Sequence, residues 1–131
     1  MGPLASLPVF FPLETRKILL AGGTEAAAWK AELLAATGAE VHVYAEGLNP
    51  VMANLIKTGG VNGRFVHHAR PWSSDSFAGA ALAIADAASD GEARAFYCAA
   101  KAAGVPVNVI DNPPFCEFQF GSIVNRSPVV I

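Results

Sequence analysis

Apolar residues fall along this chain in short runs closed by glycine, and between those runs lie segments of about a dozen strong helix formers. Lys17–Ala21 (KILLA) is the first such run. Five residues are too few for a packed helix, and the run is apolar enough to be buried on both faces of a sheet. It stops at Gly22-Gly23-Thr24, and Glu25–Ala36 (EAAAWKAELLAA) consists of helix formers up to Gly38, where a left-handed cap is expected. Glu40–Ala45 (EVHVYA) restarts with period-two alternation and β-branched residues. The first 45 residues therefore read as one βαβ unit with a parallel crossover, preceded by an extended lead-in whose LPVFFPL run carries two prolines.

The pattern then recurs less regularly. Pro50 opens a helix over PVMANLIK, Gly59-Gly60 breaks it, and Arg64–His68 (RFVHH) is a third strand. Ala80–Ala85 (AALAIA) is a fourth strand, Gly91–Ala103 a helix stopped by Gly104, and Val105–Ile110 (VPVNVI) a fifth strand. Ser122–Ile131 contains Pro128, so it is an edge strand or two short pieces. With no internal repeat, low-complexity tract or linker, residues 1–131 are expected to form a single domain. Its class is α/β, a three-layer Rossmann-like fold with a mostly parallel sheet. Ligands of such folds bind beyond the carboxyl ends of the strands, which singles out Gly22–Thr24, Tyr44–Glu46, Asp86–Asp90 and Asp111–Pro114.

Composition narrows the function. The chain has 131 residues, 53% of them hydrophobic and 15% charged, which fits one well-filled core and excludes a disordered chain. The formal charge of −2 without a basic cluster offers nothing to a phosphate backbone, so no nucleic-acid partner is expected. No apolar run reaches the length of a membrane span, and Glu14, Arg16 and Lys17 interrupt the apolar N-terminus. A cytoplasmic protein without a membrane partner is expected. Cys98 and Cys116 are too few for a disulfide framework or a zinc ligand set, so they read as reduced thiols, and no resident metal site is expected.

Chemistry must come from the four loops. In Gly22-Gly23-Thr24-Glu25-Ala26-Ala27 the first glycine and the terminal small residue of a dinucleotide fingerprint are present, but Thr24 replaces the middle glycine. Such a turn cradles a diphosphate because glycine lets the backbone approach and the helix N-terminus supplies unpaired N–H groups. The same residues also suit a tight strand-to-helix turn with no ligand. At the end of the second strand lie Tyr44 and Ala45, and Glu46 is one or two residues late for the carboxylate that binds an adenosine ribose, so a solvated loop carboxylate competes with that role. No basic residue in that segment favours a 2′-phosphate. Asp111 follows a buried strand directly and precedes Asn112-Pro113; a rim carboxylate for catalysis and a side chain that folds its own turn fit it equally. His67 and His68 point to opposite faces of a strand and cannot form a paired metal site with each other. They read, like His42, as surface or half-buried histidines.

The order of these segments carries a resemblance. The stretch LPVFFPLETRKILLAGGTEAAAWKAELLAATGAEVHVYA and the later ALAIADAASDGEARAFYCAAKAAGVPVNVIDNPPFCEFQFGSIVNRSPVVI are similar to the N-terminal domain of the siroheme synthase family, the precorrin-2 dehydrogenases and sirohydrochlorin ferrochelatases. The resemblance runs from about Leu7 to the last residue. It rests on the LPVF opening, the glycine turn with Lys30-Ala31 in the following helix, Val107-Asn108-Val109-Ile110-Asp111, and the closing Phe118, Ser122-Ile123 and Arg126-Ser127-Pro128.

The family implies NAD-dependent oxidation of precorrin-2 to sirohydrochlorin, iron insertion in bifunctional members, and a homodimer. Asp111 matches the family's essential aspartate, an acid–base group in both reactions. On the cofactor side the resemblance implies Gly22, Gly23, Thr24, Glu25, Tyr44, Ala45, Asp86 and Ala87. On the tetrapyrrole side it implies Asn112, Ser122, Arg126 and Ser127, with a plain turn role for Ser127 before Pro128 as the alternative.

Four departures stand beside the matches. The family's glycine triplet is Gly22-Gly23-Thr24, and its Ala-Thr-Asp-Asp stretch against the cofactor is Asp86-Ala87-Ala88-Ser89. Its Ala-Pro after the aspartate is Asn112-Pro113, and its Met-Pro before the serine is Phe120-Gly121. The first two motivate an alternative, a module of the same fold that keeps tetrapyrrole binding and no longer uses NAD. Family members continue past the Arg-Ser-Pro strand into a helical dimerisation region, so apolar edge surface, and with it self-association or a partner chain, is expected of a chain ending at Ile131.

Overall fold

The computed structural model describes residues 7–59 and 62–120, together with the backbone of residues 125–126 and 129–130. Five parallel strands form one sheet in the order β3-β2-β1-β4-β5: β1 Lys17–Ala21, β2 Glu40–Tyr44, β3 Arg64–His68, β4 Ala80–Ala85 and β5 Val107–Val109. Three helices, α1 Glu25–Ala36, α2 Pro50–Thr58 and α3 Asp90–Ala103, make the crossovers. The α/β class with its parallel sheet is thus as the sequence indicates.

Alternation along the central strands divides the core in two. Ile18 and Leu20 of β1, Val41 and Val43 of β2, and Leu82 and Ile84 of β4 face α1 and α2. Leu19 and Ala21, with Ala83 and Ala85, face α3, where Phe77 and Phe96 pack against Trp72. Because both faces are covered, β1 reads as an unbroken apolar run. Alanines at positions 27, 28, 31 and 35 are all buried and bring α1 close to the sheet.

Each helix starts where a short polar side chain satisfies an orphan N–H. Thr24 Oγ1 accepts from the Ala27 N–H, Asn49 Oδ1 from that of Val51 and Ser89 Oγ from that of Glu92. Gly38 (φ 85°) and Gly104 (φ 72°) follow α1 and α3 in the left-handed region, as expected.

Four boundaries differ from the reading of the sequence, the first being α2, which runs one residue past PVMANLIK to Thr58. Strand β2 ends at Tyr44, and α3 begins one residue early, at Asp90, because Ser89 is the cap. Strand β5 keeps only Val107–Val109, since the Val105 N–H closes α3 on the Ala100 carbonyl instead of joining the ladder. Near the C-terminus, Asn125–Arg126 (β6) and Val129–Val130 (β7) pair antiparallel as two short pieces. Ser122, Ser127 and Pro128 lie outside the described residues, as does Gly60 of the second glycine break.

Candidate functional site

Strand β1 lies between β2 and β4, and the chain leaves their carboxyl ends toward opposite sides of the sheet. This switch point is where an α/β sheet opens a crevice. Its floor is Gly22-Gly23-Thr24. Gly22 has φ 121°, and a Cβ on it would lie 3.2 Å from the Asp86 carbonyl oxygen. At Gly23 a Cβ would overlap the Gly47 carbonyl oxygen, while the Gly23 carbonyl accepts the Asn49 N–H at 2.7 Å. The loop from β2 to α2 thus leans directly on this turn, and both glycines are required by neighbouring backbone.

The hydroxyl of Thr24 caps α1 and donates to Asp86 Oδ2 at 2.5 Å. The N–H groups of Gly23, Thr24, Glu25 and Ala26 have no acceptor among the described residues. Unpartnered donors at a helix N-terminus suit a phosphate group. Glu25 is exposed in the first turn. The backbone of this turn fits the diphosphate of a dinucleotide, and one side chain opposes it: the Asp86 carboxylate already stands at the same helix end. The neighbouring Ala87 is half-buried against the α3 side of the core.

At the end of β2 the Tyr44 ring is buried and stacked on His68, centroids 4.2 Å apart and planes 7° from parallel. The Tyr44 carbonyl accepts the Gly22 N–H, the Ala45 N–H donates to the His68 carbonyl, and the Ala45 carbonyl faces His67 Nε2 at 2.9 Å. Tyr44 and Ala45 therefore form a fixed wall beside the turn, with Glu46 exposed beyond it. The segment itself carries no base, but the end of β3 supplies one: the Arg70 guanidinium lies 5.7 Å from the Tyr44 ring centroid.

The register of β2 on β3 also produces a cluster that alternation within one strand could not reveal. His67 is exposed and His68 half-buried, on opposite faces as expected. Across the ladder, His68 Nε2 lies 3.0 Å from His42 Nδ1, and His42 Nε2 lies 2.6 Å from Glu40 Oε1. A carboxylate only accepts, so His42 donates to Glu40 through its Nε2–H, and one of the two facing ring nitrogens of His42 and His68 donates to the other. Burial first, then the charges of His42, Arg70, Lys17 and His67, hold the His68 pKa below its ordinary value. Hydrogen bonds from His42 and Arg64 hold the Glu40 carboxyl below its own.

Beyond β5 the chain turns sharply. Asp111 has φ 57°, one of only two non-glycine residues with positive φ among the described residues, and Asn112 N–H reaches back to the Val109 carbonyl at 3.1 Å. The Asp111 side chain is exposed and makes no hydrogen bond among the described residues, so it does not fold its own turn. It lines a recess of about 250 Å³ together with Lys30, Asn108, Asn112, Cys116 and Phe120. The Lys30 ammonium lies 4.2 Å from the Phe120 ring centroid. Burial pushes the Cys116 thiol up, which favours its protonated form. Of the residues proposed for a tetrapyrrole, Asp111 and Asn112 come together here. Arg126 lies in β6, its side chain outside the described part. Lys30, on α1, escaped the reading of chemistry along the chain; its only signal was the Lys30-Ala31 pair that the resemblance includes in the helix after the glycine turn.

The sequence from residue 9 to 122 matches the model of a protein family described as "Putative NAD(P)-binding". The chain belongs to this family. Among curated proteins it is 40% identical over 126 residues to a siroheme synthase of Nitrosomonas europaea, covering 95% of this chain and 26% of that one. It is 39% identical over 129 residues to a siroheme synthase of Methylobacillus flagellatus, covering 98% of this chain and 27% of that one. The chain thus spans about a quarter of the length of these relatives. Among solved structures it superimposes on SirC, precorrin-2 dehydrogenase, with a TM-score of 0.74 at 15% identity, over 96% of this chain and 59% of that one. That likeness is one of fold, and it agrees with the Rossmann-like architecture. Among the described residues no helix is long and apolar enough to cross a membrane, and no group of three or more His, Cys, Asp or Glu side chains is arranged to hold a metal ion.

Proposed function

We propose that residues 1–131 form the dinucleotide-binding unit of a precorrin-2 dehydrogenase of sirohaem biosynthesis, with NAD as cofactor and Asp111 as the acid–base group. The observation that carries this reading is Asp111 itself. A non-glycine residue held at φ 57° costs about 1 kcal/mol or more, and such strain persists where the surrounding structure enforces it. Here it leaves a carboxylate with no partner among the described residues on the rim, beside a recess, at the end of the strand next to the switch-point strand β4.

Oxidation of precorrin-2 to sirohydrochlorin removes one hydride and one proton. Bound NAD supplies the hydride acceptor. The Asp111 carboxylate takes the proton, a role that needs a base within reach of the substrate carbon and free of internal hydrogen bonds. Gly22, Gly23, Thr24 and Glu25 would hold the diphosphate, with Tyr44, Ala45, Asp86 and Ala87 as the surrounding wall. Asn112, Ser122, Arg126 and Ser127 would meet the tetrapyrrole. Iron insertion into sirohydrochlorin, with Asp111 receiving pyrrole protons, a homodimer and a cytoplasmic location belong to the same proposal.

The test is an anaerobic assay of precorrin-2 with NAD, following sirohydrochlorin by its absorbance. Asp111→Asn is expected to lower kcat at least about a hundredfold while NAD affinity is kept. Turnover by Asp111→Asn at the parent rate would remove the assignment. One observation favours a second reading, a tetrapyrrole-binding module without NAD: the Asp86 carboxylate hydrogen-bonded at the α1 N-terminus. Calorimetric titration with NAD, run beside Thr24→Gly, separates the two, since only the dehydrogenase binds NAD in its native sequence.

A further inference from the structure

We propose that Lys30 is a substrate-positioning residue, the anchor for a peripheral carboxylate of the tetrapyrrole; this rests on the tetrapyrrole reading given above. Three observations converge on it. Among the described residues, Lys30 is the only cationic side chain lining the recess at Asp111. It has no carboxylate partner among those residues, whereas Lys101 is paired with Glu117 at 2.8 Å and Arg64 with Glu40 at 2.6 Å. Its ammonium is held over the Phe120 ring, 4.2 Å from the centroid, which restrains the long side chain before any ligand arrives.

The size of the recess fits the same role. About 250 Å³ is less than a drug-sized ligand fills, and much less than a tetrapyrrole macrocycle. It suits one arm of the macrocycle, an acetate or propionate, with the ring lying across the mouth near Asp111. The rest of the lining matches such an arm: Ile110, Pro113 and Phe120 for its methylenes, and Lys30 for its carboxylate. A larger recess, about 390 Å³, lies near Val105 and Pro106, before β5 rather than beyond its carboxyl end, and its Lys101 and Glu117 already neutralise each other.

Position along α1 separates this role from cofactor binding. Lys30 is six residues after Thr24, about 9 Å along the helix axis from the unpartnered N–H groups. A diphosphate at the helix N-terminus and a carboxylate at Lys30 would therefore be two occupants of one helix.

The experiment is anaerobic titration of the chain with sirohydrochlorin, an octacarboxylate, for the parent, Lys30→Met and Lys30→Arg, with NAD titrations and thermal melts alongside. Lys30→Met keeps the stem on Phe120 and removes the charge. It is expected to weaken sirohydrochlorin binding about tenfold or more at low salt, the loss of one charge-assisted hydrogen bond, while NAD affinity stays unchanged. Lys30→Arg restores most of the affinity, and 1 M salt shrinks the difference between parent and Lys30→Met. Equal sirohydrochlorin binding by parent and Lys30→Met overturns the inference alone. A tenfold loss of NAD affinity in Lys30→Met overturns it in favour of a cofactor contact. No binding of sirohydrochlorin by the parent overturns the tetrapyrrole reading and this inference together.

Discussion

Replacing Asp86 by asparagine is expected to tighten dinucleotide binding. The amide oxygen of the new side chain would still accept the Thr24 hydroxyl proton that Asp86 Oδ2 accepts at 2.5 Å, so the N-cap geometry and the turn are kept and only a charge is lost. A phosphate seated on the N–H groups of the same turn would lie about 5 Å from that carboxylate. At an effective dielectric of about 40 to 80, suited to this partly exposed site, two unit charges at that distance repel by about 0.8 to 1.7 kcal/mol. The Kd for NAD should therefore fall about four- to seventeenfold in Asp86→Asn, read by calorimetry at low ionic strength. Raising the salt from about 0.1 M to 1 M shortens the Debye length from about 10 Å to 3 Å and should bring parent and variant together. Weaker binding by Asp86→Asn would refute the reasoning, because the carboxylate would then be a ligand to the dinucleotide. An unchanged Kd at low salt would refute it too, since the phosphate would then sit elsewhere.

Two further outcomes are expected. Because the folded pKa of His68 lies below 6.5, the unfolded chain takes up its proton first as the pH falls. The stability from a neutral His68 is full above about pH 7 and declines toward pH 5.5, by at most about 1.4 kcal/mol per pH unit. In urea titrations His68→Gln should show the shallower decline, and parallel curves for parent and variant would contradict this; Glu40, whose folded pKa lies below 4.5, adds a loss only at more acid pH. Gly23→Ala would drive a methyl into the Gly47 carbonyl oxygen, so backbone must move, at a cost of about 1–3 kcal/mol in denaturant unfolding. A Gly23→Ala chain as stable as the parent would mean that the loop from β2 to α2 does not rest on the turn.

Most of the framework is legible from the chain because its signals are local. The bounds of β1, α1, β3 and β4 coincide with runs closed by glycine, proline or a capping side chain. Local order fails where a backbone group has two possible partners, as at Val105, whose N–H belongs to the helix end and not to the strand. The site is less legible, since its contacts arise from strand order. Thr24 and Asp86 are 62 residues apart and meet only because β4 lies beside β1. His42 meets His68 through the register that sets Tyr44 opposite His68, and alternation within RFVHH says only which residues cannot meet. Lys30 and Phe120 meet because the segment after β5 folds back along α1, which no periodicity announces.

The bend at Asp111 restricts what evolution can place there. Aspartate and asparagine tolerate a left-handed backbone better than other side chains, whereas glutamate does not share that tolerance. The family of admissible replacements is therefore chosen twice, once by the chain's path and once by the proton chemistry. A relative in which this position has become asparagine or glycine would keep the same turn while losing the base. Natural sequences with such a change would mark members that hold the scaffold after giving up the reaction, recognisable from one codon.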